Sequence, residues 1–180
     1  MPKNIKFLTI LIIGIISLSS SAHAAVDSEV SYILNTLLFL ISGFLVMWMA
    51  AGFAMLESGL VTSKSVATIA AKNIGLYSIA GLMFWLIGYN LAYGIPEGGF
   101  IGTFLPWSDA SSIEKGYSDG SDWFFQMVFC ATTCSIVSGT MAERIKIWPF
   151  FLFCAILAGV IYPIEMGWQW GKGHLYTAGF

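Results

Sequence analysis

Four stretches of this chain are apolar and free of Asp, Glu, Lys and Arg: residues 30–55, 74–93, 123–141 and 147–164. Each matches the ~17–25 residues that a helix needs to cross a bilayer. A bilayer core offers no water to bare backbone groups, so segments of this kind must be helices. Alternating strands of ~10 residues, the sign of a membrane barrel, are not seen. The chain is 57% hydrophobic and only 10% charged, whereas soluble domains carry about 25% charge. The expected fold is therefore all-α, a polytopic membrane helix bundle with lipid as its solvent.

The N-terminal segment is read separately. Lys3 and Lys6 precede an apolar run over residues 7–18, and small residues then lead to Ala22, Ala24 and Ala25. A short positive region, an apolar run too short to span and an A-x-A-like site describe a cleavable secretory signal. The expectation is a signal over residues 1–24 with Ala25 as the mature start; the alternative is a retained N-terminal helix.

Orientation follows from the flanking cations. The connection between the first two spans carries Lys64 and Lys72, and the turn between the last two carries Arg144 and Lys146. The connection over residues 94–121 holds Lys115 against Glu97, Asp109, Glu114 and Asp119. Positive-inside bias places the first and third connections in the cytoplasm. The mature N-terminus and the acidic connection are then periplasmic, as a cleaved signal independently requires.

Gly43, Gly52, Gly75, Gly81, Gly88, Gly139 and Gly159 mark positions where membrane helices can approach closely. Pro149 suits the first turn of the fourth span, and Pro163 is expected to end it. Cys130, Cys134 and Cys154 lie in apolar runs without ligand partners and read as packing residues. Ala131, Cys134 and Ser138 form a small-residue strip on the third span.

The chemistry-bearing candidates are aromatic. Phe125 and Phe129 are four apart, so their rings share one helical face. They read either as packing or an interfacial belt, or as a gate and cation platform at a pore mouth. Trp168 and Trp170 follow the fourth span in a glycine-bearing segment. They read as headgroup anchors, or as rings over a pore that attract a small cation by ~0.5–2 kcal/mol. Binding that weak lets the ion leave again, as conduction requires. Glu57 is costly near the end of the first span unless paired, with backbone groups or Lys64 as expected partners and a proton relay as the alternative. Glu143 reads as a partner of Arg144, Asn90 as a bond across helices, and His174 as isolated. No nucleotide-binding, hydrolase-triad or zinc-protease motif occurs, so an enzyme is not expected, nor is a cofactor, a metal or a nucleic-acid partner.

Four strings in register carry a resemblance: AGFAMLESGLVTSKSVATIAAKN, FWLIGYNLAYG, FFQMVFCATTCSIVSGTMAERIK and IYPIEMGWQWGKG. From about Val30 to Phe180 the chain resembles the ammonium transporter (Amt/Mep/Rh) superfamily, and its bacterial Amt branch more than the Rhesus proteins. The resemblance implies the first four helices of an eleven-helix transporter of a bacterial inner membrane. It implies a homotrimer with a pore in each subunit, and a cytosolic trimeric signalling protein as a regulatory partner. Ammonium would be recruited at an outer aromatic site, pass stacked Phe rings and lose its proton before a hydrophobic pore lined by two histidines. Phe129 and Trp170 match the substrate-binding aromatics, and Phe125 with Phe129 the gate.

Gly167 stands where such proteins often carry His, and Lys172 interrupts a commonly glycine-rich segment, its stem expected to run to solvent. The Asp-containing motif and both pore histidines would lie beyond Phe180, so the chain is expected to continue. The alternatives to transport are an ammonium sensor of the same fold and a non-conducting structural subunit.

Overall fold

A computed structural model describes residues 27–180; the secretory-signal expectation lies outside them. Helix α1 covers Ser28–Leu60 and is capped by the Asp27 carboxylate, which accepts from the Glu29 N–H. After a 3₁₀ turn at Ser63–Ser65, α2 runs over Val66–Met83 and passes through a π turn, Phe84–Gly88, into α3, Tyr89–Tyr93. Helix α4 covers Asp119–Met141. Helix α5, Ile147–Ile156, passes through a second π turn, Leu157–Ile161, into α6, Tyr162–Gln169. The short α7, His174–Thr177, follows. These make four helices long and apolar enough to cross a membrane: Ser28–Leu60, Ser63–Tyr93, Asp119–Met141 and Ile147–Thr177. The described residues are otherwise connections, with a 3₁₀ turn at Ile113–Lys115 and an isolated bridge from Ser112 to Tyr117.

The third span is the centre of the bundle. Its strip of Ala131, Cys134 and Ser138 is fully buried, and it packs against the first, second and fourth spans. Small side chains bring the backbones together: the Cys130 and Cys134 thiols reach the Ala158 and Cys154 carbonyls at 3.5 and 3.9 Å. By contrast α1 buries only Gly43 and Glu57 and turns Leu38, Trp48 and Leu60 outward. An apolar face of that extent is incompatible with water and requires lipid or other protein.

Each span is longer than its charge-free run, and the differences have physical causes. Helix α2 of the second span begins at Val66 rather than residue 74, so Lys72 is a buried helical residue and not part of a connection. The contact of Thr62 with Glu143 brings the connections that carry Lys64, Arg144 and Lys146 to the same end of the bundle. Pro163 does not end the fourth span, which continues to Gln169. A proline removes one intrahelical N–H and crowds the preceding turn, and the π turn at Leu157–Ile161 widens the helix directly before it.

The two π turns pack against each other, where the second and fourth spans cross. A side chain at Gly88 would come within 3.1 Å of both the Ala158 carbonyl and Pro163, and one at Gly159 would meet Met83 and Ile87. Gly43 likewise sits under the Phe124 ring, while Gly52 and Gly139 face open space and do not mediate close approach.

The connection over residues 94–118 folds back over one end of the bundle. Asn90 does not bridge helices; its amide donates to the Leu105 and Pro106 carbonyls at 3.0 and 2.9 Å. The Trp107 N–H reaches the Trp85 carbonyl at 2.8 Å. Asn35 and Thr36 of α1 hold Gly116 and Ser118. Lys115 pairs with Asp119 one turn later.

Candidate functional site

Two helical stripes face each other near the connection-covered end. On α4, Phe125 and Phe129 lie one turn apart, their rings meeting edge to face at 5.1 Å and 79°. On the fourth span, Tyr162, Met166 and Trp170 recur at a four-residue spacing, which places them on one face. With Gln126 these residues line a cavity of ≈ 340 Å³. The structure therefore brings Phe125, Phe129 and Trp170 together, although Trp170 is some forty residues further along the chain. Phe39 of α1 continues the aromatic wall, 5.4 Å from Phe125 and 5.1 Å from Tyr117.

The two tryptophans have different surroundings. Trp168 is in the last turn of α6; its indole N–H donates to the Phe100 carbonyl at 2.8 Å, and its ring meets His174. Trp170 caps the helix, is 71% exposed, and faces the cavity. His174 is not isolated: its ring stacks on Phe100 at 4.3 Å, and its backbone N–H donates to the Gly99 carbonyl at 3.1 Å. The Trp168–His174 segment is thus fastened to residues 98–100, which fixes the cap on which Trp170 stands.

Gly167 is explained by a neighbour. An ideal Cβ there would lie 2.8 Å from the Ala92 carbonyl oxygen, so the fourth span can approach α3 only without a side chain. Lys172 is exposed with φ 60°, and its carbonyl accepts from Gly98; its side chain lies in the direction expected.

The cavity's chemistry is a set of π faces with few polar groups. Aromatic faces attract cations, and a partly desolvated site raises that attraction towards 2 kcal/mol. The polar members are Gln126 and Tyr162; Gln126 stands three residues before Phe129 on α4, and Tyr162 four before Met166 on the fourth span. Behind Gln126 lies Asp122, which no sequence signal connected to Tyr89: the Tyr89 hydroxyl donates to Asp122 Oδ2 at 2.6 Å, and Gln126 Nε2 donates to Oδ1 at 3.2 Å.

A second polar cluster is buried towards the opposite end. Glu57 pairs with Lys72 rather than Lys64. Its carboxylate also accepts from Ser138 Oγ at 3.0 and 2.9 Å and from Asn73 Nδ2 at 2.9 Å. The Lys72 ammonium donates to the Ser138 carbonyl at 3.1 Å and lies 5.0 Å from the Phe150 ring centre. All four spans contribute, and every charged atom is partnered, which is what makes the pair tolerable in lipid. Glu143 does not partner Arg144; it accepts from the Thr62 N–H at 3.1 Å and from the Thr62 hydroxyl. Arg144 donates to the Thr140 carbonyl. No metal-holding group of His, Cys, Asp and Glu occurs among the described residues.

The model of the Ammonium Transporter Family matches residues 37–180. Ammonium transporter Amt2 of Archaeoglobus fulgidus is 42% identical over 146 residues, covering 78% of this chain and 30% of that protein. The solved Sensor Amt Protein superposes with a TM-score of 0.73 at 30% identity, covering 81% of this chain and 38% of that one. Mep2 of Candida albicans superposes with a TM-score of 0.70 at 25% identity, covering 86% and 35% respectively. The chain spans about a third of the length of these relatives. Matched across four membrane-spanning helices in sequence and in fold, the chain belongs to the ammonium transporter family.

Proposed function

We propose that the full-length protein moves ammonium or ammonia across a bacterial inner membrane, and that the cavity bounded by Phe125, Phe129 and Trp170 is its outer entrance. The observation that carries this reading is the convergence of three aromatic rings from two spans on one cavity. In bulk water ammonium is strongly hydrated, so a dry pore must replace that water with aromatic and hydrogen-bonding contacts. Trp170 and Phe129 recruit the cation through their ring faces. The Phe125–Phe129 pair then gates the hydrophobic pore. The gathering of Lys64, Arg144 and Lys146 at the opposite end supports a cytoplasmic location for that end and a periplasmic mature N-terminus.

In this reading the functional unit is a homotrimer regulated by a cytosolic trimeric signalling protein, an assembly that the resemblance to the family supports. The role is transport rather than catalysis, in keeping with a relative named a transporter. A sensing role is the second reading, favoured by the likeness to Sensor Amt Protein.

Ammonium-evoked currents from the full-length protein in liposomes test the proposal. Transport predicts currents in wild type that fall in Phe129→Ala and Trp170→Leu. Sensing predicts ammonium binding that depends on the same residues without current. Unchanged currents in both variants would remove the aromatic cavity from the path.

A further inference from the structure

Asp122 is a buried carboxylate, 7% exposed, and among the described residues no Lys, Arg or His pairs with it. Its neighbour Asp119 takes Lys115. Asp122 is instead held by two neutral donors, the Tyr89 hydroxyl at 2.6 Å and the Gln126 amide at 3.2 Å. Its place in the first turn of α4 gives it some help from the helix dipole, but that help requires neither donor. A buried carboxylate without a cationic partner is costly, so the contact with Gln126 calls for its own account.

The geometry provides one. A carboxylate accepts hydrogen bonds and does not donate them, so the Gln126 side chain must turn its NH₂ towards Asp122. That leaves Oε1 as the uncommitted end of an amide that lines the aromatic cavity. Phe and Trp rings attract a cation without directing it, whereas a fixed carbonyl oxygen accepts one N–H in a defined direction.

We propose that Asp122 is a positioning residue for the candidate cation cavity. It locks the Gln126 amide so that Oε1 is the acceptor offered to a small cation bearing N–H groups, such as ammonium or a primary alkylammonium. Tyr89 holds the carboxylate from the other side. The proposal rests on the cavity reading above. Without Asp122 the amide is free to turn its NH₂ inward, where it would repel the same cation.

The test is the ammonium concentration giving half-maximal current in the full-length protein reconstituted in liposomes. Asp122→Asn keeps the size and the Tyr89 contact but removes the acceptor-only partner that dictates the amide's orientation. It is expected to raise the half-saturating concentration about three- to tenfold, with the maximal current within about twofold of wild type. Gln126→Met removes the acceptor while leaving Asp122 in place and is expected to shift half-saturation by a similar factor. A purely structural role would lower the maximal current or the yield of folded protein and leave half-saturation alone. If Asp122→Asn does not fold, Gln126→Met decides. Wild-type half-saturation in Gln126→Met, or in a folded Asp122→Asn, overturns the positioning role. If Trp170→Leu lowers the current in the same series, the cavity reading survives that failure. A wild type without ammonium response overturns both.

Discussion

The Lys72 ammonium is bound to the Glu57 carboxylate inside the bundle, with the two side chains 5% and 4% exposed. The carboxylate's other partners are Ser138 and Asn73, so one buried pair ties the second span to the first and third. Removing one member of such a pair strands the other charge, at about 3–5 kcal/mol, whereas removing both is far less harmful. Lys72→Met is expected to destabilise the full-length protein by that amount in detergent unfolding. Glu57→Gln combined with Lys72→Met should recover most of the loss. A Lys72→Met protein as stable as wild type would show that the pair does not hold the spans.

Close approach at Gly167 leads to a contrast with Gly139. A Cβ at 167 meets a backbone carbonyl that cannot move aside, while one at 139 meets open space. Gly167→Ala should cost about 1–3 kcal/mol through overpacking against Ala92. Gly139→Ala should be neutral or stabilising by up to about 1 kcal/mol, because glycine is a poor helix former. Thermal unfolding of the two variants side by side checks the ordering.

Glu143 links the turn before α5 to Thr62. The Thr62 hydroxyl, then the Ser65 hydroxyl and the Thr62 N–H, hold its carboxyl below the usual carboxylate range. A folded-state value below the unfolded one means that the contribution is present above the ordinary carboxylate range. It is lost as pH falls through the lowered value. Wild type should therefore be more stable than Glu143→Gln near neutral pH, and the difference should vanish under strongly acidic conditions. A difference that grows on acidification would contradict this account.

How much of this was legible in the sequence depends on the range over which each feature acts. The four spans and the Phe125–Phe129 face are local, set by apolar length and a four-residue spacing. The helices extend beyond the charge-free runs, because a charged residue does not end a helix that can pair it inside the bundle. Lys72 and Glu57 cancel one another only once two helices pack, a condition that no window along the chain can register. Pro163 reads locally as a terminator, whereas the π turn that accommodates it is a property of the packed helix and not of the residue. The Tyr162, Met166 and Trp170 stripe was available from spacing alone. Trp168 and Trp170 differ only through the contact of Trp168 with Phe100, which is distant in sequence. Asp122 and Gln126 share a local i, i+4 spacing on one helix, whereas Tyr89 reaches Asp122 from another span, which no local pattern registers.

The central claim is that Trp170 stands over the entrance and recruits ammonium through its ring. The most direct measurement is the half-saturating ammonium concentration for currents through the full-length protein carrying Trp170→Leu or Trp170→Phe. Loss of a ring contact of ~0.5–2 kcal/mol predicts a rise of about two- to thirtyfold in Trp170→Leu, largely retained affinity in Trp170→Phe. A Trp170→Leu protein with wild-type half-saturation would contradict the claim.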